Sequence, residues 1–217
     1  MKQCDRRLLW AALLPVILVV VIDQIIKVWV KTTFYLGEDR EIFSWFHLHF
    51  IQNNGMAFGM SFLNKFVLTW LRIILVGFLF WYIVRLARAA RASVWYMICI
   101  GLVTAGAMGN IIDCVFYGEI FTNPAPPAVA ELTPIGDGYG TWFHGLVVDM
   151  FYFPLFSFTW PQWMPWVGGH EFSFFDPVFN FADAAISVGI LAILFFMSRY
   201  LDSAYIKPAD ESADNKA

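Results

Sequence analysis

The chain has 217 residues, of which 59% are hydrophobic and 14% charged, with a formal net charge of −3. Soluble domains carry about 45–50% apolar and about 25% charged residues, and a chain of this length cannot bury such an apolar excess in one core. A water-soluble globule and a disordered chain are excluded, nothing forms the basic stripe that nucleic acid requires, and the class indicated is an integral membrane protein.

A crossing helix needs about 20 mainly apolar residues, and four stretches qualify. The first covers about Leu8 to Val30, behind Lys2, Arg6 and Arg7. It reads as a span and not as a cleaved leader, because no small-residue cleavage site follows and the apolar run continues through Asp23 and Lys27. In the connection from Thr32 to Leu63, Phe46-His47-Leu48-His49-Phe50 alternates as a half-buried strand does. The second span covers about Phe66 to Val84 and the third about Val94 to Phe116, with Arg85, Arg88 and Arg91 between them. After it, Thr122-Asn123-Pro124-Ala125-Pro126-Pro127 and Gly136 to Gly140 read as a flexible insertion at about 121–146. Trp160, Trp163 and Trp166, interleaved with Pro161 and Pro165, suit a headgroup layer. The fourth span covers about Pro177 to Met197, and a polar tail occupies 202–217. Ala92 to Ser198 contains no Lys or Arg, so the positive-inside rule puts both termini in the cytoplasm and two connections outside. The expected fold is an all-α integral membrane protein, one domain over 1–201, with four transmembrane helices and a small outer β/amphipathic subdomain.

Ionisable groups inside a span cost a few kcal/mol on insertion scales, so each needs a reason. Asp23 and Lys27 share one face of the first span at i, i+4. Asn110 and Asp113 lie three apart near the outer end of the third span, as do Asn180 and Asp183 in the fourth. Asn53 and Asp149 stand in the outer connections. One reading is that these groups pair and glue the bundle together. The other is chemical: with no cation in the third and fourth spans or between them, Asp149 and Asp183 form a carboxylate excess. Two neighbouring carboxylates share a proton, which suits water activation by one and leaving-group protonation by the other. His47, His49, His144 and His170 show no metal-ligand spacing, and Cys4, Cys99 and Cys114 are too scattered for a disulfide framework or a zinc site, so no metal is expected. Cys114 has no base at a fixed offset and no G-x-S-x-G motif occurs. The glycines from Gly101 to Gly109 read as close helix packing. A proton-coupled carrier would spread its titratable groups through the membrane depth, whereas these cluster in one layer.

Five motifs in this order resemble the lipoprotein signal peptidase (signal peptidase II) family from about Leu8 to Tyr200. They are Asp23-x-x-x-Lys27, Asn53-x-Gly55-x-Ala57-Phe58, Gly109-Asn110-x-x-Asp113, Val147-Val148-Asp149 and Phe179-Asn180-x-Ala182-Asp183-x-x-Ile186. The resemblance implies an aspartic peptidase with Asp149 and Asp183 as the dyad. Asp23, Lys27, Asn53, Gly55, Asn110, Asp113 and Asn180 then support the site and hold substrate. It further implies a monomer of the bacterial inner membrane without cofactor, its site on the periplasmic face. The partners implied are membrane lipid, diacylglyceryl-modified prolipoproteins cut before the lipidated cysteine, and the inhibitor globomycin. The chain departs from the family at Cys114, where Arg is usual and where Asp113 would find its cation; that leaves open a pseudoenzyme that binds precursors without cutting. Met56 and Gly59 are mild departures, and the insertion, longer than the family's usual connection, reads as a lid or a partner surface. Phe46, Phe50, Phe58 and Trp142 are candidate substrate clamps.

Overall fold

The computed structural model describes residues 4–53, 65–90 and 92–197, so Gly55, Met56, Phe58, Gly59 and the tail lie outside the described residues. Helix α1, Arg6–Thr33, starts where the Asp5 side chain accepts the Arg7 amide at 2.9 Å, satisfying an amide that has no helical partner. Its buried residues Leu8, Ala12, Val16, Val19, Asp23, Lys27 and Val30 recur every three or four positions and form one stripe. Strands β1, Asp39–Phe43, and β2, Phe46–Asn53, follow as an antiparallel pair, and β2 covers the alternating segment. Helix α2, Lys65–Ala89, buries only a few side chains, among them Thr69, Val76 and Ile83.

Helix α3, Val94–Ile112, is capped by Ser93 and packs against α1, α2 and α5. Small residues let it approach its neighbours closely: a Cβ at Gly101 would collide with the Ala12 carbonyl, and one at Gly106 with the Ala182 carbonyl. It continues through a π-helical turn, Asp113–Tyr117, into α4, Gly118–Ile120. Arg6–Thr33, Lys65–Ala89 and Val94–Ile120 are long and apolar enough to cross a membrane.

Strand β3, Val147–Tyr152, joins β2 in a sheet ordered β1-β2-β3, with Ile51 opposite Asp149. Strands β4, Phe156–Thr159, and β5, Glu171–Phe174, form a separate hairpin. Helix α5 runs Phe181–Phe196, which corrects the expected start near Pro177. Residues 177–180 are extended instead, because Phe179 exchanges backbone hydrogen bonds with Phe151 of β3. At 16 residues α5 is about 24 Å long, shorter than the other three.

The 121–146 segment is tied down along its length, against the expectation of a flexible insertion. The Thr133 amide donates to Ile120 O at 2.9 Å, Tyr139 to Phe121 O at 2.9 Å and Gly145 to Cys114 O at 2.8 Å. The Tyr139 hydroxyl accepts the Leu146 amide at 2.6 Å, just before β3. Phe50, read from the sequence as a substrate clamp, is instead buried with Val30, Phe34, Tyr117, Phe121, Val148 and Met150, beneath the sheet.

Candidate active site

Asp149 lies at the centre of β3, where pairing with β2 turns its side chain toward the helix ends; the residue is 1% exposed. One of its oxygens, Oδ2, accepts from Asn53 Nδ2 at the end of β2. The other, Oδ1, accepts from Asn180 Nδ2 at 2.6 Å. Asn180 is the N-cap of α5 and not a member of it, which corrects the expectation of two helical residues three apart. The Asp183 amide donates to Asn180 Oδ1 at 2.9 Å and the Asn180 amide to Asp183 Oδ2 at 3.4 Å, a reciprocal capping box. The cap therefore aims the Asn180 amide group at Asp149 and holds the half-buried Asp183 beside it.

Asn110 on α3 joins this pair to a second charged group. Its Nδ2 donates to Asp183 Oδ1 at 2.8 Å, while its Oδ1 accepts from Lys27 Nζ at 2.8 Å and from Asn180 Nδ2 at 3.1 Å. Lys27 is fully buried and forms ion pairs with Asp23 at 2.9 Å and Asp113 at 2.8 Å. Asp113 thus has its cation in Lys27, although Cys114 stands where an arginine was expected. Asp23 Oδ1 accepts the Ala182 amide of α5 at 2.9 Å, and Asp113 Oδ2 accepts the Val148 amide of β3 at 3.2 Å. Asp23, Lys27, Asn53, Asn110, Asp113, Asp149, Asn180 and Asp183 are joined in one hydrogen-bonded network; Gly55 is outside the described residues.

Three further residues enter the site that sequence reasoning missed. Gln24 donates to Asp113 Oδ1 at 2.9 Å and to Gly109 O at 3.2 Å, and its own Oε1 accepts from Tyr117 Oη at 3.0 Å. A polar side chain within a span was the available signal for Gln24; Tyr117 offered none, since tyrosine is ordinary in such helices. Arg72 of α2 reaches Cys114, its Nη1 3.4 Å from Sγ, which places a guanidinium next to the Asp113 turn from another helix.

The surroundings of Asp149 favour its protonated form. Burial pushes the Asp149 carboxyl up to about 7, and the neighbouring charge of Asp183 adds to the shift. The Asn180 and Asn53 hydrogen bonds and the charge of Lys27 oppose it. A buried carboxyl that holds its proton near neutrality, with a second carboxyl beside it, is the kind of arrangement that acid–base chemistry uses. Of the other candidate clamps, Phe46 stacks on Phe153 at 5.0 Å and Trp142 meets Phe116 edge-on at 5.5 Å.

Residues 15–199 match the family model described as Signal peptidase (SPase) II. A protein of Porphyromonas gingivalis called lipoprotein signal peptidase is 48% identical over 179 residues, covering 82% of this chain and 79% of its own. One of the same name from Amoebophilus asiaticus is 39% identical over 184 residues, covering 82% and 73%. A bacterial membrane enzyme solved by the in meso method superposes with a TM-score of 0.61 at 21% identity, covering 93% of this chain and 94% of that one. A second gives 0.58 at 23% identity, with 89% and 95% covered; at these identities the likeness is one of fold.

Proposed function

The chain belongs to the signal peptidase II family, and from that premise we propose how its site works. It cleaves signal peptides from prolipoproteins. The finer reading is an aspartic endopeptidase that acts on diacylglyceryl-modified precursors before the lipidated cysteine, with Asp149 and Asp183 as the dyad. The observation that carries it is Asn180, which caps α5 against Asp183 and donates to Asp149, holding both carboxyls at one place.

In this mechanism the ionised carboxylate takes a proton from a water molecule, which attacks the scissile carbonyl. The protonated partner donates to the carbonyl oxygen; as the intermediate collapses it takes that proton back, while the carboxyl that deprotonated the water passes its proton to the departing amine. The half-buried Asp183 suits the base and the more deeply buried Asp149 the acid, although the proton belongs to the pair. The Asp23–Lys27–Asp113 cluster balances charge beneath them and keeps Asn110 oriented. Asn53, at the end of β2, steadies Asp149 from the sheet side, and substrate acyl chains remain in lipid while the peptide bond meets water at the interface.

This reading places α5 as a fourth, short crossing of the bacterial inner membrane, both termini in the cytoplasm and the dyad on the periplasmic face. It treats residues 1–201 as one domain and the enzyme as a globomycin-sensitive monomer. A gel-shift assay with diacylglyceryl-modified precursor in detergent tests the dyad. Wild type cuts only the lipidated precursor, while Asp149→Asn and Asp183→Asn each lose roughly 10³-fold or more of the rate, in keeping with lost acid–base catalysis, and remain inserted. Near wild-type turnover by either variant overturns the assignment, and no cutting by folded wild type points to a pseudoenzyme.

A further inference from the structure

Strands β4 and β5 pair with each other and with no other strand among the described residues. Their register sets Phe156 opposite Phe174 and Phe158 opposite Phe172, with ring centroids 4.9 and 5.1 Å apart. Alternate residues of a strand share a face, so one face of this ribbon is made of four phenylalanines, and the intervening positions are Ser157, Thr159, Glu171 and Ser173. The turn at its tip carries Trp163, 79% exposed, and Trp166, 97% exposed. A two-stranded hairpin by itself is marginal in water, so an aromatic face of this size needs a cover.

Three observations identify the cover. Residues 153–155 and 175–180 tether the ribbon to β3 and to the first turn of α5, and the longer tether reaches at most about 20 Å, so the ribbon stays at the depth of the helix ends. Its apolar surface continues into that of the molecule through a ladder of rings. Phe175 meets Phe179 at 6.0 Å, Phe179 stacks on Phe153 at 5.7 Å, and Phe153 lies 6.2 Å from Trp45, which stacks on Phe43 at 5.4 Å. The surface is also chemically selective: residues 92–198 hold no Lys or Arg, so anionic headgroups are not what it is built to attract. Exposed tryptophans beside phenylalanines match the boundary between headgroups and acyl chains, where an indole keeps its ring apolar and its N–H wet.

We propose that the β4–β5 ribbon lies in the interfacial layer of the bilayer, in the leaflet at the Asp149–Asp183 end of the helices, with its Phe face and the Trp163–Trp166 tip against lipid. The proposal concerns lipid contact and is independent of which groups perform the cleavage.

Tryptophan quenching in nanodiscs tests it on the full chain. Wild type and Trp163→Ser/Trp166→Ser are reconstituted in phosphatidylcholine discs, either plain or brominated at carbons 6 and 7 of one acyl chain. The emission lost in the variant, which is that of the two tip indoles, is expected to fall by more than half in brominated discs, with or without iodide in the water. Quenching by iodide but not by bromine puts the tip in water and overturns the proposal. Protection from both means that a second copy or another protein covers the ribbon, and overturns it as well. Trp163→Phe/Trp166→Phe keeps the apolar surface while removing both indoles, so the same difference spectrum is obtained even if the serine variant does not reconstitute.

Discussion

At the scale of the residue, the site consists of charges that the rest of the chain makes expensive. Asp149 is the sharpest case. Its folded-state value near 7 lies above that of an exposed aspartate, so between about pH 4 and about pH 7 the folded protein binds more protons than the unfolded chain. Stability therefore falls as pH rises through that window and levels off above it. Asp149→Asn, which cannot ionise, is expected to flatten this slope, and its melting temperature in detergent at pH 8 should exceed that of wild type while cleavage is lost. Wild-type cleavage is expected to decline above about pH 7, as the proton shared by the pair leaves; a pH–rate profile checks this. Gln24 gives a separate prediction. Tyr117→Phe deletes the hydroxyl that donates to the half-buried Gln24 Oε1 at 3.0 Å, at a cost of about 1 kcal/mol, which appears as a lower melting temperature. The charged residues and the asparagines beside them were legible in the sequence because ionisable groups in an apolar span demand partners. Gln24 and Arg72 carried the same signal, a polar or charged group within a span, but no spacing tied them to the motifs; Tyr117 carried none, and only the fold brings the three together.

At the scale of the element, the apolar runs revealed α1, α2 and α3 to within a few residues, since length and hydropathy decide a crossing. The start of α5 was hidden. Pro177-Val178-Phe179 is as apolar as the helix it precedes, yet its backbone bonds to β3, a long-range pairing that no local pattern carries. The strand at Phe46 was visible by its alternation, whereas Asp39–Phe43 shows no such pattern and β3 depends on β2, a partner distant in sequence. Helix packing yields a direct comparison. At Gly106 a methyl group would meet the Ala182 backbone, while at Gly77 nothing lies within 4 Å. Gly106→Ala should cost about 1–3 kcal/mol by overpacking and lower the melting temperature. Gly77→Ala should leave it unchanged or raise it, because alanine is the better helix former. Gly109 is tighter in a functional sense, since an added Cβ would stand 2.7 Å from Asp23 Oδ2.

At the scale of the whole molecule, the 121–146 segment is anchored to the π-helical turn after α3 and to α4 by backbone hydrogen bonds, while Leu132 and Ile135 on it stay exposed. Phe121 and Tyr139 place their rings 5.3 and 5.1 Å from the buried Lys31 Nζ, and Tyr139 then holds the amide that leads into β3. Hydrogen exchange in detergent checks this: the amides of Thr133, Tyr139, Gly140 and Gly145, all bonded to carbonyls, are expected to exchange far more slowly than the exposed residues of the same segment. The division of labour along the chain has a further consequence. Asp23, Lys27 and Asn53 come from the first part of the sequence, whereas Asp149, Asn180 and Asp183 come from the last. A ribosome making this protein releases the charge-balancing groups first and the carboxylate pair near the end, and Asn180 joins the pair only when the final helix is threaded into place. On the proposed mechanism, a chain that ends before Asn180 lacks half of the pair and is expected not to cleave, so synthesis of the last helix sets when activity begins.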